Sequence, residues 1–305
     1  MGRVFLLEEV PATIPAPYDF AAAKEAFEES VARYVDEGIL LGGAIFGSVA
    51  KGTATMRSDF DCMVTYDGDT VDRAAYARSI TRELNEATRG KVPVGIIAYS
   101  KDALASGRHE IDRFFGQQLK EGPHATIGTD PTSFLQFREA DALDILTNYI
   151  HAKKRKMLDG YTDQSDRGQI FYKSLGRMLE LPVAIGRKVI QVQAEIEGAS
   201  TIDGSDKPAV LAASMEIFSS VGLDAHAANL QVADKEYTEL LDDIVAGRYD
   251  PDDYYEFTDA YLLDMLPLTY QWLDQLEVRL IGRLKKAASV AAFNRRFPKS
   301  TGLAE

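Results

Sequence analysis

Two aspartates one residue apart, Asp59 and Asp61, follow a Gly47-Ser48 pair within the stretch Ala44 to Tyr66, AIFGSVAKGTATMRSDFDCMVTY. In a β-strand, residues two apart point to the same face. Asp59 and Asp61 therefore project side by side, while Phe60 and Cys62 turn into the core. Adjacent carboxylates repel unless a cation lies between them. A hard divalent ion, Mg2+ or Mn2+, meets that need, because magnesium commonly takes one or two carboxylates and adds substrate phosphates. Gly47 lets a phosphate approach the backbone, and the amides that follow can donate to it together with the Ser48 hydroxyl. A helix starting after the turn adds partial positive charge. Gly52 permits a second close approach, and Lys51 is expected near the phosphates. The stretch reads as one loop that holds a triphosphate and one strand that holds its metal.

Each part alone is commonplace, since most Gly-Ser pairs are only turns and most Asp-x-Asp pairs are solvated strand edges. Their order, spacing and apolar flanks together make the assignment specific. The Gly-x4-Gly-Lys-[Ser/Thr] phosphate loop is absent.

Positioning these groups requires a strand on each side of the loop. Ile39 to Phe46 is a compact apolar run that reads as a buried strand, and Asp59 to Tyr66 alternates as a second. Upstream, a Pro-rich lead-in from Pro11 to Pro17 precedes Asp19, the N-cap of a helix predicted over Phe20 to Asp36 and ended by Gly38. Thr70 to Arg89 reads as a helix and Val92 to Tyr99 as a third strand. Arg108 to Leu119 then reads as a helix, and His124 to Ile127 as a short edge strand. Such alternation indicates an α/β layer. From Phe134 to Phe297 the pattern is almost wholly helical, with breaks near Asp159-Gly160, Gly198 to Asp206, Gly222 to Asn229 and Gly247 to Asp252. The 305 residues exceed what one core usually serves. The expected division is 1–131, an α/β (α+β) domain with a small mixed sheet, and 132–305, an all-α domain closing over a cleft that holds Asp59 and Asp61.

Composition narrows the partners. A net charge of −13 works against non-specific nucleic-acid binding, which needs Lys and Arg to displace phosphate counterions. One cysteine, Cys62, excludes an intramolecular disulfide framework and a Cys-rich zinc site, and fits a reducing, cytoplasmic location. No apolar run is long enough for a membrane span. Glu8 and Glu9 come too early for a secretory signal.

Phe46 to Val64 resembles the signature of the DNA polymerase β-like nucleotidyltransferase superfamily, especially its small bacterial and archaeal members and the antibiotic nucleotidyltransferases. The matching residues are Gly47-Ser48, Lys51-Gly52 and Ser58-Asp59-Phe60-Asp61 between two apolar strands. The likeness extends over roughly the first 130 residues, to Asp130-Pro131. It implies transfer of a nucleoside monophosphate from an NTP to an acceptor hydroxyl, with pyrophosphate released. Asp59 and Asp61 would ligate the metal, and Gly47, Ser48, Lys51 and Ser58 would line the nucleotide. In related two-domain enzymes a basic residue of the helical domain reaches the triphosphate. Lys173 is the candidate, with ordinary surface charge as the alternative.

Active members carry a third acid on the next strand. The matching strand runs from Val92 to Tyr99, and its two candidate positions are Pro93 and Gly95. No Asp or Glu lies between Gly90 and Ser100; Asp102, Glu110 and Asp112 come later. Two readings follow. One is a metal-dependent nucleotidyltransferase acting on a small cationic molecule or a macromolecule. The other is a nucleotide-binding pseudoenzyme serving as an antitoxin- or defence-type interaction module. A polymerase or tRNA-tailing role is disfavoured by the acidic charge.

The remaining features have structural explanations beside functional ones. His109, His124, His151 and His226 show no zinc-ligand spacing and read as structural or exposed. No Arg-then-His pair has the spacing of the helical ribonucleases encoded beside small nucleotidyltransferases. The Lys153-Lys154-Arg155-Lys156 run is expected at a helix end, where cations meet the dipole; phosphate or polynucleotide contact is the alternative. Asp250 to Asp264, rich in acids and tyrosines, is either a solvated helix start or a wall for a polycationic acceptor.

Overall fold

The computed structural model describes residues 19–296, apart from 56–57, 69–70, 91, 139, 162–175, 200–203, 205, 250–256 and 258–262. The chain divides into two compact units between residues 139 and 140. The Pro-rich lead-in lies outside the described residues.

The first unit begins with α1 (Phe20–Asp36), capped by the Asp19 side chain, which accepts from the Ala22 amide at 2.9 Å. There follow β1 (Leu40–Ile45), the single turn α2 (Gly47–Ala50), β2 (Phe60–Tyr66), α3 (Val71–Ala87) and β3 (Val94–Ser100). Then come α4 (Lys101–Ala105), α5 (Arg113–Glu121), β4 (Ala125–Gly128) and a 3-10 turn over Pro131–Phe134. The sheet order is β3-β2-β1-β4. β1 is antiparallel to β2 and β4, and β2 is parallel to β3. A short loop suffices for the antiparallel β1–β2 step, whereas the parallel β2–β3 step needs the α3 crossover.

Strand alternation sends Phe60, Cys62 and Val64 into one core with Phe27 and Val31 of α1 and Ile80 and Leu84 of α3. Met63 enters a second core on the opposite face, with Phe46, Leu104, Ile111, Leu119 and Leu135. Because Leu135 packs there, the chain stays with the first unit beyond the Asp130-Pro131 step. Both faces of the sheet are therefore covered. Asp61 shares the Met63 face at the start of β2.

A charged clamp holds β4 to the segment after it. His124 Nδ1 lies 2.8 Å from the Gly122 carbonyl, and Nε2 lies 3.0 Å from Asp130 Oδ2. Two acceptors on one ring call for the imidazolium. Asp130 also accepts from the Thr132 amide at 2.8 Å and hydroxyl at 2.9 Å. The Gly122 carbonyl, aided by Asp130, outweighs burial and raises the His124 pKa. Burial lifts Asp130, but the hydrogen bonds from Thr132 and His124 hold it below the usual carboxylate range. The raised imidazole stabilises the fold fully below its ordinary pKa, and that contribution fades as pH rises through the folded value. The depressed carboxyl acts oppositely at the acid end. Raising pH from about 5.5 to about 8 is expected to lower the melting temperature of the native protein more than that of His124→Gln. Equal slopes would mean that no such clamp exists.

The second unit is helical: α6 (Ala142–Tyr161), α7 (Leu181–Glu197), α8 (Lys207–Ser219), α9 (Asp224–Val245), α10 (Leu263–Gln275), a π-helical stretch Leu276–Ile281 and α11 (Gly282–Arg296). Trp272 anchors it, donating through Nε1 to the Leu223 carbonyl at 2.9 Å and meeting Phe218 edge-on. α6 runs through Asp159-Gly160 to Tyr161, where the sequence suggested a break. No helix among the described residues is long and apolar enough to cross a membrane.

Candidate functional site

The end of β1 is docked onto the start of β2 by the Phe46 amide, which donates to the Asp61 carbonyl at 3.0 Å. Gly47 follows with φ +72°, a conformation that side chains other than glycine rarely adopt. Space demands glycine as well, since a Cβ here would lie 2.7 Å from Asp61 Oδ2. On the other side of Asp61, the parallel register places Gly95. A Cβ at Gly95 would lie 3.0 Å from Asp61 Oδ1. The carboxylate of Asp61 thus sits between two positions without side chains, one oxygen towards each.

Asp61 and Asp59 are both half-buried. Asp59 immediately precedes β2, and the Phe60 amide donates to the Pro93 carbonyl at 2.7 Å, which carries the β2–β3 pairing back beside Asp59. Cys62 is buried; its burial, and then the Asp61 charge, push its thiol up. It is a neutral core residue, as its place in the alternation suggested.

The loop itself is tight. α2 is one turn, so it lacks the aligned peptides that a macrodipole sums. The helix-end charge expected from the sequence is correspondingly small, which leaves backbone amides and the half-buried Ser48 hydroxyl as the loop's hydrogen-bond donors. Lys51 caps α2, its amide donating to the Gly47 carbonyl at 3.3 Å, and its side chain is exposed. Gly52, at φ +68°, reverses the chain, and the Thr53 amide returns to the Ser48 carbonyl at 2.9 Å. Ser58 faces backwards: its Oγ accepts from the Thr55 amide at 2.9 Å, and its own amide donates to the Thr55 carbonyl. That turn sets the direction in which the chain enters Asp59. It was not anticipated, although Ser and Thr three residues apart are a recognisable turn signal. Lys173 lies outside the described residues, as does most of the acidic Asp250–Asp264 segment.

β3 carries no acid. Of the two positions open in the sequence, the register sets Gly95 opposite Asp61. Asp112 caps α5, accepting from the Phe115 amide at 3.0 Å. Glu110 is exposed, its amide donating to the Tyr99 hydroxyl at 3.1 Å. Asp102 is exposed in the first turn of α4. Among the described residues, no three His, Cys, Asp or Glu side chains cluster as a metal site. Two half-buried carboxylates suit a hard divalent ion that draws its other ligands from phosphate and water, but not a three-acid centre. A glycine inside a strand marks close approach, and that signal at Gly95 was available in the sequence.

Residues 29–107 match the family model described as a nucleotidyltransferase domain, which fits the DNA polymerase β-like nucleotidyltransferase superfamily. The matched segment runs from the latter part of α1 through β1, the Gly47 loop, β2, α3 and β3 to just past α4. No match was found among curated proteins.

Proposed function

We propose, on the premise that residues 29–107 are a nucleotidyltransferase domain, that the protein transfers a nucleoside monophosphate from an NTP to an acceptor hydroxyl with Mg2+ or Mn2+. The observation that carries this reading is the Asp61 carboxylate set between Gly47 and Gly95, with Asp59 two residues before it. In the transfer, the acceptor oxygen bonds to the α-phosphorus, the bond to the bridging oxygen breaks, and pyrophosphate leaves with that electron pair. The acceptor proton passes to water or to a pyrophosphate oxygen. Asp59 and Asp61 would hold the divalent ion, which when bound draws negative charge from the transferred phosphoryl group. The Gly47–Ala50 amides and the Ser48 hydroxyl orient the triphosphate, the Lys51 amide being taken by the Gly47 carbonyl. No β3 side chain takes the proton, so β3 supplies no general base, a contribution typically worth about 10²–10⁴-fold.

A second reading is favoured by Gly95 itself, because an acid stands on the matching strand of active relatives. It makes the domain a nucleotide-binding interaction module. The decisive experiment incubates the protein with each labelled NTP and Mg2+, with and without candidate acceptors, beside Gly95→Glu. Transfer by the native protein is expected, with turnover lowered about tenfold or more in Gly95→Glu. The new side chain crowds Asp61, and an ångström-scale misplacement can cost on the order of 10²-fold. No labelled product with any acceptor, or turnover gained by Gly95→Glu, would overturn the first reading in favour of the second.

A further inference from the structure

The two edge strands of the sheet are built differently. β4 is four residues long and ends at Gly128 in left-handed backbone, φ +69°, so it offers little length to another strand. β3, at the other end of the sheet, runs for seven residues, Val94 to Ser100. It carries no charge, and its register with β2 is unbroken from Phe60↔Val94 to Tyr66↔Ser100. Proteins commonly guard a long edge with a lysine, a proline or a bulge. β3 contains none of these; Pro93 stands just outside it.

The hydrogen-bond pattern shows which backbone groups are left over. The Phe60 amide donates to the Pro93 carbonyl, and in this parallel register Gly95, Ile97 and Tyr99 direct both their backbone groups to β2. Val94, Ile96 and Ala98 therefore direct their amides and carbonyls outward. Among the described residues, none of these groups has a backbone partner. The side chains of the same three residues pack against the core shared with α1 and α3, so what the edge presents is chiefly backbone.

We propose that two copies of the chain pair through β3, antiparallel about a two-fold axis at Ile96, joining their sheets into one. The arrangement of the outward groups is what points to a second copy. Turned through half a circle, Ile96 falls opposite Ile96 of the partner subunit, and Val94 falls opposite Ala98 of the partner subunit. Each such pair exchanges two N–H···O bonds, which leaves no outward amide or carbonyl of the three residues unused. A two-fold contact requires a patch that fits itself, and this one does. Charge favours the same place. A chain of net charge −13 repels its own copies, whereas the β3 stretch brings no like charges together. Gly95 spends its backbone on β2, so the pairing leaves its approach to Asp61 as it is. Both Asp61 carboxylates then face the same side of the joined sheet, three strand spacings of about 4.8 Å apart. The inference stands independently of the nucleotidyl-transfer reading.

Sedimentation of the full chain from about 1 µM to about 0.1 mM is expected to show a concentration-dependent species of twice 33.6 kDa. Ala98→Pro removes an outward amide and spares the β2 ladder, and proline is tolerated on edge strands. It is expected to raise the dissociation constant at least about tenfold, with the circular dichroism spectrum unchanged. Residue-resolved hydrogen exchange on the native chain gives a second reading that needs no variant. The Ile96 and Ala98 amides are expected to be protected in the concentrated sample and to exchange at least about tenfold faster on dilution. A single-chain mass at every concentration overturns the proposal and leaves the edge to a strand of another protein. A dimer whose Ile96 and Ala98 amides exchange equally fast when concentrated and when dilute also overturns it. So does an unchanged dissociation constant in a folded Ala98→Pro protein, which would place the interface elsewhere.

Discussion

Asp59→Asn/Asp61→Asn is expected to abolish metal-dependent nucleotide binding and to lower nucleotidyl transfer on the order of a thousandfold. The magnitude follows from the several kcal/mol that a bound metal contributes to transition-state charge stabilisation, at about 1.4 kcal/mol per factor of ten. Asn keeps the size of each side chain but removes its charge, so the ion loses both anionic ligands. The fold should survive, since neither carboxylate lies in either apolar core. Calorimetric titration of a non-hydrolysable NTP analogue with Mn2+ provides the check. Affinity unchanged by the double substitution would remove the metal from this site. Nucleotide binding that persists equally with and without Mn2+ in the native protein would do the same.

Gly47→Val should have an effect nearly as large by a different route. The position has φ +72°, and its Cβ would stand 2.7 Å from Asp61 Oδ2. Left-handed backbone costs an L-residue roughly 1–2 kcal/mol, more for a β-branched one, against about 5–15 kcal/mol for a typical domain. The unit should remain folded while the loop or Asp61 shifts. Nucleotide affinity is expected to fall at least tenfold, on the scale of about 1.4 kcal/mol, with Gly47→Ala intermediate. Circular dichroism would establish folding, and the same titration would read affinity. A folded Gly47→Val protein that binds NTP normally would place the phosphate loop elsewhere.

These two expectations differ in how early they were legible. Pairing of Asp59 with Asp61, and burial of Phe60 and Cys62, follow from a period of two within five consecutive residues. Asp19 as a helix cap, the first three strands and the α3 crossover were similarly readable, because caps, turns and apolar periodicity are written in adjacent residues. The α/β layer followed by helices emerged from the same local signals. The close fit of Gly47 against Asp61 was not readable. A glycine announces that something approaches, not what approaches it.

What the sequence by itself determined is therefore local: which residues lie on strands, which face they take, and that no acid stands on the third strand. Only the tertiary structure decided that Gly95 rather than Pro93 faces Asp61, since register is a relation between strands separated by a whole helix. It likewise turned Ser58 to Thr55, and showed that Lys154 meets Asp274 whereas Lys153, one residue earlier, faces the Tyr149 ring. The physical reason is common to all three. Conformational preference is set by neighbours in the chain, but charge compensation and steric fit are set by neighbours in space, and those are brought together only when the elements pack.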